Sequence, residues 1–248
     1  FPTTTLSQDD SGVGVKNGLN AFGKKNFIGA FAVPYAVVND FQFLHTQPEL
    51  TRRAGLIEAV KVSLVKDGEF FEWLEANAAS LCALDEATLE EAVERSAIHH
   101  ARHIALGGDP FELGSSRPLD YGHWAAHKLE QLTDFELSHG EAVSVGVALD
   151  TLYAAKVGLL SVDDAERVLC VIEQLNLPLW HEALELLDSK GRRRVFNGLE
   201  EFREHLGGEL TVLLLAGLGK GIDVHEIEEK IWDDCAEELK FRVLAVSS

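Results

Sequence analysis

His123 and His127 stand four residues apart in Tyr121-Gly122-His123-Trp124-Ala125-Ala126-His127, and a third histidine follows in Ser138-His139-Gly140-Glu141. On a helix the first two share one face, one turn from each other. Imidazole is a common ligand for zinc-like metals, and a catalytic site usually takes three protein ligands and keeps one position open. Spacing alone therefore pairs His123 with His127, and His139 can complete a set with a carboxylate from elsewhere. The competing reading is chance pairing, because the chain has 10 histidines. His99, His100 and His103, another close group, read as partly exposed helix residues.

Two further stretches carry chemistry. Gly12-Val13-Gly14-Val15-Lys16-Asn17-Gly18 and Gly23-Lys24-Lys25-Asn26 place lysines beside glycines. Glycine lets a backbone approach a ligand closely, and an adjacent lysine can hold a phosphate. This is not a Walker loop, since Asn17 stands where serine or threonine follows the lysine. A plain glycine-rich turn is the alternative, but Lys16, Lys24 and Lys25 form a basic island in an acidic chain, which favours an anionic ligand. In Arg53-Ala54-Gly55-Leu56-Ile57-Glu58-Ala59-Val60-Lys61, Glu58 sits among apolar neighbours with Lys61 three residues on. It reads either as a surface ion pair or as a partly buried carboxylate held for a metal.

The elements that position these groups are mostly helical. Pro48 to Lys66 sets Leu50, Ala54, Ile57, Val60 and Leu64 at three- and four-residue spacing. Further helices are expected over Phe70–Ala79, Asp85–Leu106, His139–Val157 and Ser161–Leu175. Gly158 stops one, and Ser161 with Asp164 resembles a capping box for the next. Before them, Phe1 to Leu6 reads as the end of a strand, Ser11 to Asn26 as a loop, and Phe27–Val33 with Ala36–Val38 as extended segments around Pro34. Near the end, Leu210–Leu215 reads as a strand running into the turn Ala216-Gly217-Leu218-Gly219, followed by an amphipathic helix over Val224–Leu239.

The bulk properties narrow the partners. The chain has 248 residues, 46% of them hydrophobic, enough for a buried core. Its net charge of -19, from 22 basic and 41 acidic residues, repels phosphate backbones and disfavours nucleic acid and anionic membranes. Cys82, Cys170 and Cys235 read as free thiols of a reducing compartment. No apolar run reaches the ~18 residues of a membrane span, and no secretion signal is visible. A cytoplasmic location is the expectation. The chain opens on Phe1-Pro2 and has no methionine, the expected look of part of a longer protein.

Four of these stretches occur in the same order in one family. Phe1 to Gly29 resembles the Pro-Thr-Thr-Leu-Leu-Ala-Gln…Asp-Ser-Ser-Val-Gly-Gly-Lys…Lys-Asn-x-Ile-Gly segment of 3-dehydroquinate synthases. Arg53 to Lys61 resembles their Ala-Gly-x-x-Glu-x-x-Lys helix, Tyr121 to His127 their Gly-His-Thr-x-Gly-His, and His139 to Val143 their His-Gly-Glu-Ala-Val. The resemblance implies the α/β dehydroquinate synthase-like fold. Residues 1–45 would be the end of a nucleotide-binding domain with a substrate loop. Residues 46–248 would be a helical metal-binding catalytic domain with a small C-terminal hairpin. It also implies a lyase, a sugar phosphate cyclase dependent on NAD and on zinc or another divalent metal such as cobalt. Such an enzyme oxidises one hydroxyl transiently, eliminates phosphate, reduces the ketone again and closes a carbocycle by an aldol step. The resemblance makes Glu58, His123 and His139 the metal ligands and moves His127 to the substrate side for proton transfer. It gives Lys16 to phosphate, Lys61 to substrate hydroxyls, and Asp120 to the active site in place of the family's asparagine. Thr4, Asp10, Lys25 and Asn26 fall on the cofactor side. The implied partners are a small phosphorylated sugar and a second copy in a homodimer.

The departures are specific. The family's lysine and arginine for the substrate carboxylate fall at His100 and Ser116, with Arg117 one residue late. Charge-assisted bonds are worth ~1.5–3 kcal/mol each, so a substrate without that carboxylate is expected. The wording around Gly107–Glu112 and Arg117–His127 resembles the EboD branch of the cyclases. The family's nucleotide-binding half lies upstream of the Pro-Thr-Thr segment. Two alternatives stand beside the cyclase: a metal-dependent alcohol or glycerol dehydrogenase, and a scaffold that kept the fold without catalysis.

Overall fold

The computed structural model describes residues 1–21, 24–107, 119–205 and 210–246, with the side chains of residues 20, 21, 24–27, 204, 205 and 246 outside that description. Eight α-helices among these residues make the body of the chain: α1 (Glu49–Lys66), α2 (Gly68–Cys82), α3 (Glu86–Leu106), α4 (His123–Leu132), α5 (His139–Lys156), α6 (Val162–Gln174), α7 (Asn197–His205) and α8 (Glu229–Val246). The expectations for α1, α2, α3, α5 and α6 hold to within a few residues. Their starts are set by side chains that accept backbone N–H bonds. Asp67 accepts from Phe70, Asp85 from Thr88 and Ser161 from Asp164, while Ser138 and Glu141 form a capping box at the head of α5.

α5 lies at the centre. From Ala142 to Ala154 every residue is buried. A helix apolar on all sides belongs inside a domain, and α5 is covered by α1, α4, α6 and α8. α1 is buried from Ala54 to Val65. Glu58 and Lys61 therefore lie on a helix with no solvent face at that level, and the surface ion-pair alternative for them fails.

The described residues hold two antiparallel hairpins. β1 (Lys16–Ala21) pairs with β2 (Lys24–Phe31), Lys16 opposite Phe31. β3 (Val212–Leu215) pairs with β4 (Gly221–Val224), Val212 opposite Val224. The C-terminal hairpin is the expected one. The N-terminal region differs from expectation. Most of the expected loop over Ser11–Asn26 is strand, β2 starts earlier than the expected extended segment, and Ala36–Val38 is not strand.

Phe1–Leu6 is not the end of a strand. The chain turns helical at Thr5, and Ser7–Ser11 forms a π-helical turn. Side chains hold it. The Ser7 backbone N–H donates to Thr4 Oγ1, Gln8 donates to the Pro2 and Asp40 carbonyls, and Asn39 donates to the Gln8 carbonyl. These bonds outweigh the β preference of threonine, which is a packing preference rather than a backbone one. The last helix also differs. Val224 is claimed by β4, so α8 begins at Glu229 and runs on to Val246.

Candidate metal and substrate site

Three helices and the π-helical turn meet at one place. α1 brings Glu58 and Lys61, α4 brings His123, His127 and Glu130, α5 brings His139, and the turn brings Asp9 and Asp10. Two close backbone approaches fix this geometry. A Cβ on Gly140 would lie 2.2 Å from the Ala54 carbonyl oxygen of α1, and one on Gly146 would lie 2.0 Å from the Gly122 carbonyl oxygen. No side chain fits either position. The first contact sets His139 beside Glu58, and the second sets the head of α4 against α5.

Glu58, His123 and His139 each bring a donor atom within 4.8 Å of the others. His139 Nε2 is 3.7 Å from Glu58 Oε1, and the rings of His123 and His139 are 5.4 Å apart at their centroids. The ring nitrogens are sorted by their partners. His123 Nδ1 lies 3.1 Å from the Tyr121 carbonyl, which can only accept, so Nδ1 carries the proton and Nε2 is a bare lone pair. His139 Nδ1 lies 3.2 Å from Glu130 Oε2, and Nε2 faces Glu58. A carboxylate on the far nitrogen is the usual support of a ligating histidine. His127, Glu130 and His139 also have donor atoms within 4.8 Å of one another, but there Glu130 is already engaged with His139.

Glu58 has a buried carboxylate whose oxygens, among the described residues, have Lys61 and His139 beside them and no well-aligned hydrogen bond. Lys61 forms an ion pair with it within the same helix. A buried anion short of donors is costly, and a divalent cation is what this donor set satisfies. Two imidazole nitrogens and one carboxylate make a common catalytic zinc set, so the residues present fit the metal.

The electrostatics form a buried network. Burial raises the Glu58 pKa, although Lys61 acts against it. Burial works to lower Lys61, but Asp10 and Glu58 outweigh it and hold the ammonium charged. Asp10 Oδ2 is 3.6 Å from Lys61 Nζ, and Asp10 Oδ1 is 2.6 Å from His100 Nδ1. Burial would raise Asp10, yet Lys61 and His100 hold it well below the usual carboxylate range. His123 is pushed well below the usual histidine range by burial, by Lys61 and by its two histidine neighbours, so it is neutral and ready to ligate.

The other expected residues fall as follows. His127 lies on the same face of α4 as His123, with ring centroids 5.4 Å apart, and 6.0 Å from His139. Asp120 is half-buried just before α4, and its carbonyl accepts the His123 N–H at 2.9 Å. Lys16 opens β1 and is exposed. Thr4 bonds Ser7 at 2.8 Å and shapes the turn. The side chains of Lys25 and Asn26, and all of Ser116 and Arg117, lie outside the described residues. His99, His100 and His103 are half-buried on α3, partly exposed as expected, and His99 has partners. It stacks on Phe70 at 5.7 Å and lies 2.9 Å from Asp67.

Three carboxylates were missed by reading motifs. Glu130 is three residues beyond His127 on the same helical face, a spacing that was legible. Asp150 is a lone acid in the apolar run of α5. Asp9 is fully buried beside Asp10, with no hydrogen bond to either oxygen among the described residues, and burial, Glu58 and Asp10 raise its pKa well above the usual carboxylate range.

The chain is similar to known proteins over most of its length. The chain is 36% identical over 231 residues to the 3-dehydroquinate synthase of Acinetobacter baumannii strain SDF, covering 93% of this chain and 62% of that protein. It is 42% identical over 183 residues to that of Nitratiruptor sp., covering 73% and 51%. The chain thus spans under two thirds of the relatives it matches. Among solved structures it is similar to the 2-epi-5-epi-valiolone synthase of Streptomyces hygroscopicus subsp. jinggangensis with NAD+ and Zn2+ bound, at 29% identity and TM-score 0.87, covering 97% of this chain and 65% of that one. A 2-deoxy-scyllo-inosose synthase, at 22% identity and TM-score 0.74, shares the fold. The 3-dehydroquinate synthase N-terminal model matches residues 1–54 and the C-terminal model residues 55–192, and the chain belongs to the 3-dehydroquinate synthase family.

Proposed function

We propose that this chain is the metal- and substrate-binding part of a sugar phosphate cyclase that uses NAD and a divalent metal. The observation that carries the reading is the convergence of Glu58, His123 and His139, with Lys61 and Asp10 against them. In this reading Glu58, His123 and His139 hold zinc or cobalt. The metal supplies Lewis-acid orientation of two substrate hydroxyls and stabilises alkoxide or enolate charge; NAD supplies a regenerated hydride store.

The chain's own residues do the rest. Lys61 stays charged between two carboxylates and donates to substrate hydroxyls. His127, one turn from His123 and half-buried, moves the proton as phosphate leaves. Asp120 borders the same pocket, and Lys16 takes the phosphate from the hairpin side. Thr4, Asp10, Lys25 and Asn26 are assigned to the nicotinamide side; of these, Asp10 reaches the pocket directly. Residues 1–45 close a nucleotide domain and residues 46–248 form the catalytic domain, in a cytoplasmic homodimeric lyase. The change of family model after residue 54 is in keeping with that division. No helix among the described residues is long and apolar enough to cross a membrane.

The substrate in this reading is a phosphorylated sugar without a carboxylate at the His100 position. His100 Nδ1 is already engaged with Asp10 at 2.6 Å, which leaves it poorly placed to hold a substrate carboxylate. The names of the relatives and of the valiolone synthase neighbour favour a cyclase over an alcohol dehydrogenase or a scaffold.

Elemental analysis after dialysis against zinc tests the metal. One equivalent is expected in the wild type, and none in His123→Ala or His139→Ala. Full occupancy in both variants refutes the site. Incubating the full-length protein with NAD, zinc and a panel of ketose and keto-acid phosphates tests the reaction. NAD-dependent release of inorganic phosphate is expected, and its absence across the panel refutes the cyclase.

A further inference from the structure

α5 carries one carboxylate in its buried stretch. Asp150 is fully buried, three turns along the helix from His139, and faces α4 rather than the pocket. Its two oxygens take two donors from the head of α4. Oδ2 accepts the Gly122 backbone N–H at 3.1 Å, and Oδ1 accepts the Trp124 Nε1–H at 2.9 Å. These are the residues on either side of His123. Gly122 sits at φ +76°, locked against Gly146 and Val147. Trp124 is clamped on its other side by Trp232 of α8, with centroids 4.6 Å apart.

We infer that Asp150 is a positioning residue for the metal site: by gripping Gly122 and Trp124 it fixes where His123 presents Nε2. This rests on the metal reading above. The reasoning is geometric. His123 is the first residue of α4, where four N–H groups lack partners within the helix. Its own side chain bonds the Tyr121 carbonyl through Nδ1. The head of α4 is also held by the Gly122–Gly146 contact, the indole packing, the Tyr121 hydroxyl against Thr151 Oγ1 at 2.7 Å and the His123 N–H on the Asp120 carbonyl at 2.9 Å, but none of these ties both neighbours of His123 to one group. The two bonds to Asp150 tie both flanks of the ligand to one carboxylate on α5 and restrain the turn's rotation about the helix axis. Outer partners that orient a ligand commonly govern 10–100-fold of metal affinity.

The test is zinc affinity of the whole chain, measured by chelator competition at pH 8, together with the visible spectrum of the cobalt-loaded protein. In Asp150→Asn the amide offers an oxygen to one donor and turns its own N–H groups on the other. Affinity is expected to fall at least ~10-fold, with a shifted cobalt spectrum and an unchanged helical circular dichroism signal. Ser144→Ala is the control. Ser144 is buried on the same helix and donates to the Pro178 carbonyl at 2.8 Å, away from α4, so its loss is expected to lower stability and leave affinity and spectrum alone. If Asp150→Asn does not fold, Trp124→Phe decides, because it removes one of the two donors and keeps the carboxylate and a ring. A wild-type chain that binds no zinc overturns both the metal reading and this inference. A wild type that binds zinc, with folded Asp150→Asn or Trp124→Phe binding it equally well and giving the same cobalt spectrum, overturns the inference alone.

Discussion

Replacing Glu130 with glutamine tests whether the metal site is built from its outer partners inward. Glu130 is 5% exposed, and its Oε2 lies 3.2 Å from His139 Nδ1. Glutamine has the same length and still offers an oxygen to that N–H. The variant therefore removes charge while keeping shape. A hydrogen bond to a charged group contributes ~1.5–3 kcal/mol and a neutral one ~0.5–1.5 kcal/mol. The difference is about 1–1.5 kcal/mol, or roughly 5- to 10-fold in zinc affinity at ~1.4 kcal/mol per decade. Glu130→Ala leaves a buried N–H without its acceptor and frees the ring to turn, so about 10- to 100-fold is expected there. Chelator competition on the purified chain measures both, with His139→Ala marking the limit of complete loss. The ordering wild type, Gln, Ala, His139→Ala is the result the geometry requires. Wild-type affinity in both Glu130 variants would mean that His139 is held by α5 alone and that the Glu130 contact has no bearing on the metal.

Gly146→Ala is expected to destabilise the chain by about 3 kcal/mol or more in denaturant unfolding, because the obstacle 2.0 Å away is a backbone oxygen that cannot turn aside; a loss below about 1 kcal/mol would show that α4 and α5 separate easily. Burial pushes the Asp150 carboxyl up to about 7, so the folded state holds this proton more tightly than the unfolded one. Stability is then expected to fall as pH rises from about 4 to about 7, by at most ~1.4 kcal/mol per pH unit, and to level off above. Asp150→Asn lacks that contribution, and parallel stability curves for wild type and variant across this window would refute it.

The parts legible in the sequence were those that depend on local repetition and on side-chain type. The three- and four-residue spacing of apolar residues located α1, and Gly158 marked the end of α5. Asp85 and Ser161 marked helix starts, because capping joins residues three apart. The histidines and Glu58 were chemically conspicuous; spacing alone paired His123 with His127, while the order of the motifs pointed to Glu58, His123 and His139, the set proposed here.

Tertiary structure decided what no local period contains. Glu58 and His139 meet because Gly140 lets α5 touch α1, a contact between residues more than eighty positions apart. The first residues curl into a π-helical turn because Gln8 and Asn39 tie it to the Asp40 segment, which overrides the β preference of their threonines. Asp150 read as one acid in an apolar helix, and only the packing of α4 on α5 showed what its two oxygens hold. Sequence supplied the donor atoms; close backbone approach, which depends on where glycines from different helices meet, determined which of them converge.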